Sequence, residues 1–270
     1  MDSLSEVLRR PTAEDDKYSR GVVGFVTGSV EYPGAAILGV TAAIRTGVGM
    51  ARYLGPESVG KMLLEVRPEV VLRPGRAQAW VVGSGIAADD KGEQAKRVLG
   101  VLEDAQYAVI DAGALDIVDF DSLKATAILT PHAGELERLL GRLGSPLTRQ
   151  FIEANQAEAA TLAASLTGQT ILLKGNITTI AAPGEPVIQS PPANPALATA
   201  GSGDVLAGIL GALLAANSAE LTSGRLPLDE IALAGALLHA RAANLAAMDG
   251  PVAAVDVAEA VRKVVGDILA

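Results

Sequence analysis

The sequence predicts an α/β protein with a mostly parallel central sheet covered by helices on both faces. Three observations carry that expectation. Short aliphatic runs alternate with longer helical patterns along nearly all 270 residues, the mark of repeated βαβ units. Hydrophobic residues make up 49% of the chain and aromatic residues only 3%, so Ala, Val, Leu and Ile must fill a core of closely packed helices on a sheet. No Pro/Ser-rich linker and no internal repeat divides the chain, so residues 1–270 read as one domain, with residues 1–20 as an N-terminal extension.

The elements follow from periodicity and from the Gly, Pro and Asp residues that punctuate it. In order they are a strand at 21–27, a helix at 34–46, a strand at 49–53 and a helix at 58–66. Strands at 70–72 and 79–82 precede a helix at 92–103, and strands at 108–111 and 127–129 precede helices at 133–140 and 148–166. Strands at 170–173 and 178–182 come next, with the turn Ala181-Ala-Pro-Gly-Glu-Pro186 inside a hairpin. Helices at 203–216, 228–248 and 255–269 close the chain.

Composition excludes several classes of function. A formal charge of −9 disfavours nucleic acid or an anionic membrane as partner. With no cysteine there is no disulfide, thiol nucleophile or Cys-ligated metal. The N-terminus mixes acids with Arg9 and Arg10 and lacks the apolar core of a signal peptide. The longest strongly apolar run, 205–216, is too short for a span of about 20 residues. These features predict a cytoplasmic protein.

Ligands of open α/β sheets bind beyond the carboxyl ends of the strands, so the loops after strands hold the candidates. The most informative is Asn194-Pro-Ala-Leu-Ala-Thr-Ala-Gly-Ser-Gly-Asp-Val-Leu-Ala-Gly208. It sets a small-residue turn against an apolar helix whose first N–H groups and dipole form an anion site. Gly201 and Gly203 let the backbone approach a phosphate, with Ser202 between them. Asp204 stands where an anion would bind; it is either a dipole-favoured acid or a base that takes a proton from an attacking hydroxyl.

Two glycine patterns compete with this reading. Gly55-Pro-Glu-Ser-Val-Gly60-Lys61-Met62 nearly spells a P-loop but lacks the Ser/Thr for Mg2+. Gly83-Ser-Gly85-Ile-Ala-Ala88 follows a strand, and Asp111 closes the next one, which fits a dinucleotide fingerprint or a plain turn. Of the two histidines, His239 lies in an apolar helix and reads as a core residue. His132 follows Thr130-Pro131 at a helix start, and Glu135 three residues on shares its face. The pair makes no metal cage, but Glu135 could touch a phosphate-borne Mg2+ through water. The segment Lys174-Gly175-Asn176-Ile177-Thr178, between two strands, is either a nucleotide grip or a β-turn.

In combination and order, these segments resemble the ribokinase-like fold, and more narrowly the ADP- or ATP-dependent NAD(P)H-hydrate dehydratases. The matching residues are Thr27-Gly-Ser-Val-Glu-Tyr-Pro-Gly-Ala-Ala36, Ile110-Asp-Ala-Gly-Ala-Leu115, Leu129-Thr-Pro-His-Ala-Gly-Glu135, Leu173 to Thr178, and Asn194 to Gly208. The resemblance implies a three-layer α/β/α architecture and a hydro-lyase that uses ADP or ATP with Mg2+ to restore NADH or NADPH from its S-form hydrate. It implies that Ala36, Gly85 and His132 line the hydrated dinucleotide and that Lys174 to Thr178, with Gly201, Ser202 and Gly203, hold the nucleotide. Asp204 would be the base, and Glu135 would lie near the metal. A homo-oligomer, as in tetrameric relatives, is implied, with a separate NAD(P)H-hydrate epimerase as functional partner, since only about 20 residues precede the first strand.

The sequence departs from the family pattern at Thr27, at Gly83-Ser-Gly85-Ile86 and at Leu238-His-Ala240. Two alternatives stay open: a ribokinase-like kinase of a vitamin precursor or small alcohol, and a Rossmann-type NAD(P) oxidoreductase using residues 83–88.

Overall fold

The computed structural model describes residues 3–270. A short helix α1 (Ser3–Val7) precedes β1 (Val22–Val26), α2 (Pro33–Thr46), β2 (Met50–Tyr53) and α3 (Glu57–Val66). Then come β3 (Ala79–Val82), α4 (Glu93–Leu102), β4 (Tyr107–Ile110), α5 (Ala114–Ile117), β5 (Thr126–Leu129) and α6 (Ala133–Arg142). Helices α7 (Arg149–Ala154) and α8 (Gln156–Thr167) lead to β6 (Thr170–Leu173), β7 (Thr179–Ala181) and β8 (Ile188–Gln189). Four helices finish the chain: α9 (Ser202–Ala216), α10 (Ser218–Thr222), α11 (Leu228–Ala246) and α12 (Ala254–Ile268).

The strands form one sheet in the order β2-β1-β3-β4-β5-β6-β7-β8. From β2 to β6 every pairing is parallel, and β7 and β8 add an antiparallel hairpin at one edge. Strand side chains alternate between two cores, as the period of two requires. Val23, Phe25, Val81, Val109 and Leu172 face the core built with α2, α9, α11 and α12. Val26, Val82, Ile110, Leu129 and Leu173 face the core built with α4, α6 and α8. The result is the expected three-layer α/β/α arrangement.

Helix α9 is pressed closely between its neighbours because its sequence is small on two sides. A Cβ at Gly208 would stand 2.0 Å from the carbonyl oxygen of Gly39 in α2, and one at Gly211 2.2 Å from Val81 on β3. These contacts fix the N-terminus of α9, and with it Asp204, against the sheet.

Several expectations change on contact with the structure. Residues 70–72 are no strand: only a bridge from Arg52 to Val71 survives, at the sheet edge between Pro68 and Pro74. The helix expected over 148–166 breaks at Asn155 (φ −131, ψ 51), whose side chain donates to the Phe151 carbonyl at 3.0 Å; a local side-chain bond competes with helix continuation there. Within the N-terminal extension, Leu4 and Val7 are 0% and 2% exposed and pack into the core. Helix α11 with the short turn after it, Leu228–Asp249, is long and apolar enough to cross a membrane, with a mean hydropathy of 1.4 over 18 of its residues, yet half of that 18-residue stretch is buried inside the protein, as in the core helix of a globular fold.

Candidate functional site

Five loops at the carboxyl ends of the parallel strands converge. At the centre is Asp111, one residue beyond β4 and 2% exposed. Its Oδ1 accepts from Lys174 Nζ at 2.9 Å and from the Thr130 hydroxyl at 2.8 Å, and its Oδ2 from the Ser84 hydroxyl at 2.7 Å. Burial alone would raise the pKa of this carboxyl, but the Lys174 charge and the three hydrogen bonds hold it below the ordinary value. Lys174 follows β6, and its ammonium also lies 3.5 Å from Glu135 Oε2. Burial opposes that charge too, and the two carboxylates outweigh it, so the Lys174 pKa is raised. Ala112, next to Asp111, takes a left-handed φ of 46, a strained state for a residue with a Cβ, of the kind that clusters at functional sites.

His132 caps α6. Its Nδ1 accepts from the backbone N–H groups of Gly134 (3.0 Å) and Glu135 (3.2 Å), while Glu135 Oε2 accepts from the His132 N–H at 2.8 Å. This reciprocal capping box satisfies donors that the helix leaves open. Partial burial, which penalises the imidazolium, lowers the His132 pKa, and the ring keeps Nδ1 as an acceptor.

Asp204 lies in the first turn of α9, behind the left-handed Gly201 (φ 89), and no side chain caps that helix. A Cβ on Gly203 would come within 3.5 Å of Lys174 Nζ, so the ammonium stands beside the uncapped helix end. Burial and the neighbouring Asp111 push the Asp204 pKa up to about 7, against the opposing pull of Lys174. An uncapped helix N-terminus, a cation and a carboxyl poised near neutrality therefore occupy one place.

On one side of that place a cavity of 570 Å3 is lined by Lys174, Gly175, Asn176, Thr178, Ser202 and Gly203, together with Leu206, Ala236 and His239. The 174–178 loop is held there by Ala193 N–H donating to the Asn176 carbonyl (2.7 Å) and by Thr178 pairing with Ser190. Ile177 and Gly201 belong to the same turns without lining the cavity. On the other side, Gly28 N–H donates to the Ser84 carbonyl (2.7 Å) and Gln94 to the Gly28 carbonyl (2.7 Å). Gly85 (φ 70) lies where a Cβ would meet Ala35 at 2.7 Å, and Ala36 is fully buried beneath Gly28.

The rival glycine patterns lose their chemistry in three dimensions. After Gly83–Ala88 the chain runs on to Glu93 before α4 begins, so no helix N-terminus faces a pyrophosphate. Asp111 is locked to Lys174 and cannot reach a ribose, which removes the Rossmann reading. In the P-loop lookalike, helix α3 has begun by Glu57, and Gly60 packs inside it against Leu72. His239 is buried as expected of a core residue, but it is not satisfied: its Nε2 has no partner, and its ring lines the 570 Å3 cavity. No short stretch of sequence brings Ser84, Thr130 and Asp111 together. The available signal was a polar residue just past each of three adjacent strands.

Comparison with known proteins agrees with this geometry. The profile of the NAD(P)H-hydrate dehydratase family matches residues 23–264. A bifunctional NAD(P)H-hydrate repair enzyme of Mycobacterium leprae is 41% identical over 252 residues, which cover 89% of this chain and 49% of that protein. The chain thus spans about half the length of the bifunctional relatives it matches. The ADP-dependent (S)-NAD(P)H-hydrate dehydratase of Neisseria meningitidis serogroup B is 33% identical over 90% of this chain and 84% of its own length. A crystal structure of the ADP/ATP-dependent NAD(P)H-hydrate dehydratase of Bacillus subtilis, co-crystallized with ATP and Mg2+, superposes with a TM-score of 0.84 at 26% identity, covering 98% of this chain and 96% of that one. Profile, relatives and fold agree, and the chain belongs to the NAD(P)H-hydrate dehydratase family.

Proposed function

We propose that the protein uses ADP, or ATP, to dehydrate the S-form of hydrated NADH or NADPH. The products are the restored dinucleotide, AMP (or ADP) and phosphate. The observation that carries this reading is Asp204, a carboxyl with a pKa near 7 at the uncapped N-terminus of α9, beside the Lys174 ammonium.

The hydrated ring carries a hydroxyl at C6, and hydroxide is a poor leaving group. Asp204 takes the hydroxyl proton as that oxygen attacks the terminal phosphoryl group of the nucleotide, breaking its bond to the nucleotide's bridging oxygen. The ring nitrogen lone pair then expels phosphate, and loss of a C5 proton to the departing phosphate or water restores the C5–C6 double bond of the reduced nicotinamide. Lys174 and the N–H groups at the start of α9 stabilise phosphoryl charge. Lys174 to Thr178 with Gly201 to Gly203 hold the nucleotide, and Ala36, Gly85 and His132 contact the dinucleotide, His132 from the lining of the 570 Å3 cavity.

Bound Mg2+ would neutralise phosphate charge during transfer. The residues present fit an ion brought in on the phosphates: no group of three metal-ligating side chains occurs among the described residues, and Glu135 is engaged by the His132 N–H and Lys174. Glu135 would reach such an ion through water. A cytoplasmic homotetramer that acts together with an epimerase completes the proposal, on the family resemblance.

The test is incubation of purified protein with hydrated NADPH, Mg2+ and either ADP or ATP, following reduced-nicotinamide absorbance and phosphate release. Recovery that requires nucleotide supports the reaction, and the better nucleotide names the donor. A stable phosphoester of a small alcohol, with no dinucleotide recovered, would favour a kinase of the same fold.

A further inference from the structure

His239 is the buried polar group that the chemistry above leaves unused. It lies in α11, 7% exposed, between Leu238 and Ala240. Its ring lines the 570 Å3 cavity beside Ser202, Gly203, Leu206 and Ala236. Nε2 has no hydrogen-bond partner, while the ring is hydrogen-bonded to the backbone of Ser202. An imidazole there gives up its water without a full set of bonds, which packing alone does not explain, since a leucine would fill the space without that penalty.

The charge state narrows the ligand. Burial pushes the His239 pKa down to about 4, so the ring is neutral at neutral pH. A neutral imidazole both donates and accepts a hydrogen bond but brings no positive charge to a phosphate. Lys174 and the start of α9 already serve the phosphates, so the unpartnered nitrogen matches a hydroxyl or amine on an uncharged part of the ligand.

We infer that His239 is a nucleotide-positioning residue, its imidazole hydrogen-bonding the nucleoside part of the bound adenine nucleotide. The inference rests on the reading of this cavity as the nucleotide site.

The experiment is calorimetric titration of wild type, His239→Leu and His239→Gln with ADP and, separately, with inorganic pyrophosphate. Thermal unfolding of each variant checks the fold. His239→Leu should weaken ADP binding by about tenfold and leave pyrophosphate binding unchanged. His239→Gln, whose amide also donates and accepts, should stay within about threefold of wild type. In turnover, the KM for ADP should rise in His239→Leu while the KM for hydrated NADPH holds. Unchanged ADP affinity in His239→Leu overturns the inference. So does equal loss of ADP and pyrophosphate binding in both variants, which marks a structural role. ADP loss confined to His239→Leu upholds the inference even where wild type restores no hydrated NADPH; that failure would sink only the reaction. Wild type that binds no adenine nucleotide overturns both.

Discussion

Asp204→Asn should lower activity and raise stability at the same time. The Asp204 pKa rises from 3.8 to about 7 through burial and the nearby Asp111. That shift of roughly three units, at about 1.36 kcal/mol each, corresponds to about 4 kcal/mol of preference for the protonated form. Because the folded pKa is raised, this contribution to stability is intact below the unfolded value and is lost as pH rises through about 7. An uncharged amide of the same shape avoids the loss. At pH 8 the variant should therefore be more stable than wild type by roughly 2–4 kcal/mol, seen as several degrees in Tm, and the gap should close toward pH 4. Turnover should fall by about 10²–10⁴-fold with nucleotide binding intact, and wild-type kcat should climb with pH through about 7 as the base ionises. Thermal unfolding from pH 4 to 8.5, paired with dehydration assays, reads both effects. A variant no more stable at pH 8 refutes the buried, desolvated carboxyl; near-normal turnover refutes the base.

Lys174→Met leaves Asp111 and Glu135 buried without their cation and should cost about 3–5 kcal/mol in urea unfolding, part of it regained in the Lys174→Met/Asp111→Asn pair; an unchanged midpoint would contradict the network. Gly208→Ala puts a Cβ 2.0 Å from the Gly39 carbonyl oxygen, so α2 and α9 must separate. A loss of about 1–3 kcal/mol and lower turnover should follow, because Asp204 sits on the displaced helix. Gly100→Ala, in open space on α4, is the contrast: it meets no neighbour and should stabilise by up to about 1 kcal/mol with turnover unchanged. His132→Ser keeps an N-cap acceptor and should hold Tm near wild type where His132→Ala costs about 1 kcal/mol. A KM for the hydrated dinucleotide that stays low in both His132 variants would remove His132 from the substrate site.

The layers of the fold were legible because local and global signals coincide. Strands such as Val22–Val26 and Ala79–Val82 are buried along their whole length, so they stand out as apolar runs. Helices such as α4 and α6 have one apolar face, with Val98 and Leu102 or Leu136, Leu139 and Leu140 buried. What sequence missed depends on contacts that no short window contains. Val70 to Leu72 has strand composition, but at the sheet edge between two prolines it keeps only one bridge. Asn155 interrupts an otherwise continuous helical pattern through a single side-chain bond. Helix α1 owes its place to Leu4 and Val7, which meet the core far from the N-terminus in sequence.

The site divides along the same line. Gly201, Ser202, Gly203 and Asp204 are contiguous, so one stretch of sequence encodes both the glycine turn at the start of α9 and the carboxyl proposed as the base. The Ser84, Asp111, Thr130 and Lys174 cluster is assembled from the ends of four different strands. Each member alone reads as an ordinary loop residue, and Asp111 in isolation even reads as a ribose ligand. Only strand order, β3 beside β4 beside β5 beside β6, turns these polar residues into one charge network. That network has a chemical consequence. With Lys174 held by Asp111 and Glu135, its positive charge is partly cancelled before it acts on Asp204, and Asp111 adds a push of its own. A free lysine beside Asp204 would have depressed its pKa and made it a weak base. The buried ion pair therefore allows one small cleft to favour phosphate and still keep a carboxylate basic enough to accept a hydroxyl proton.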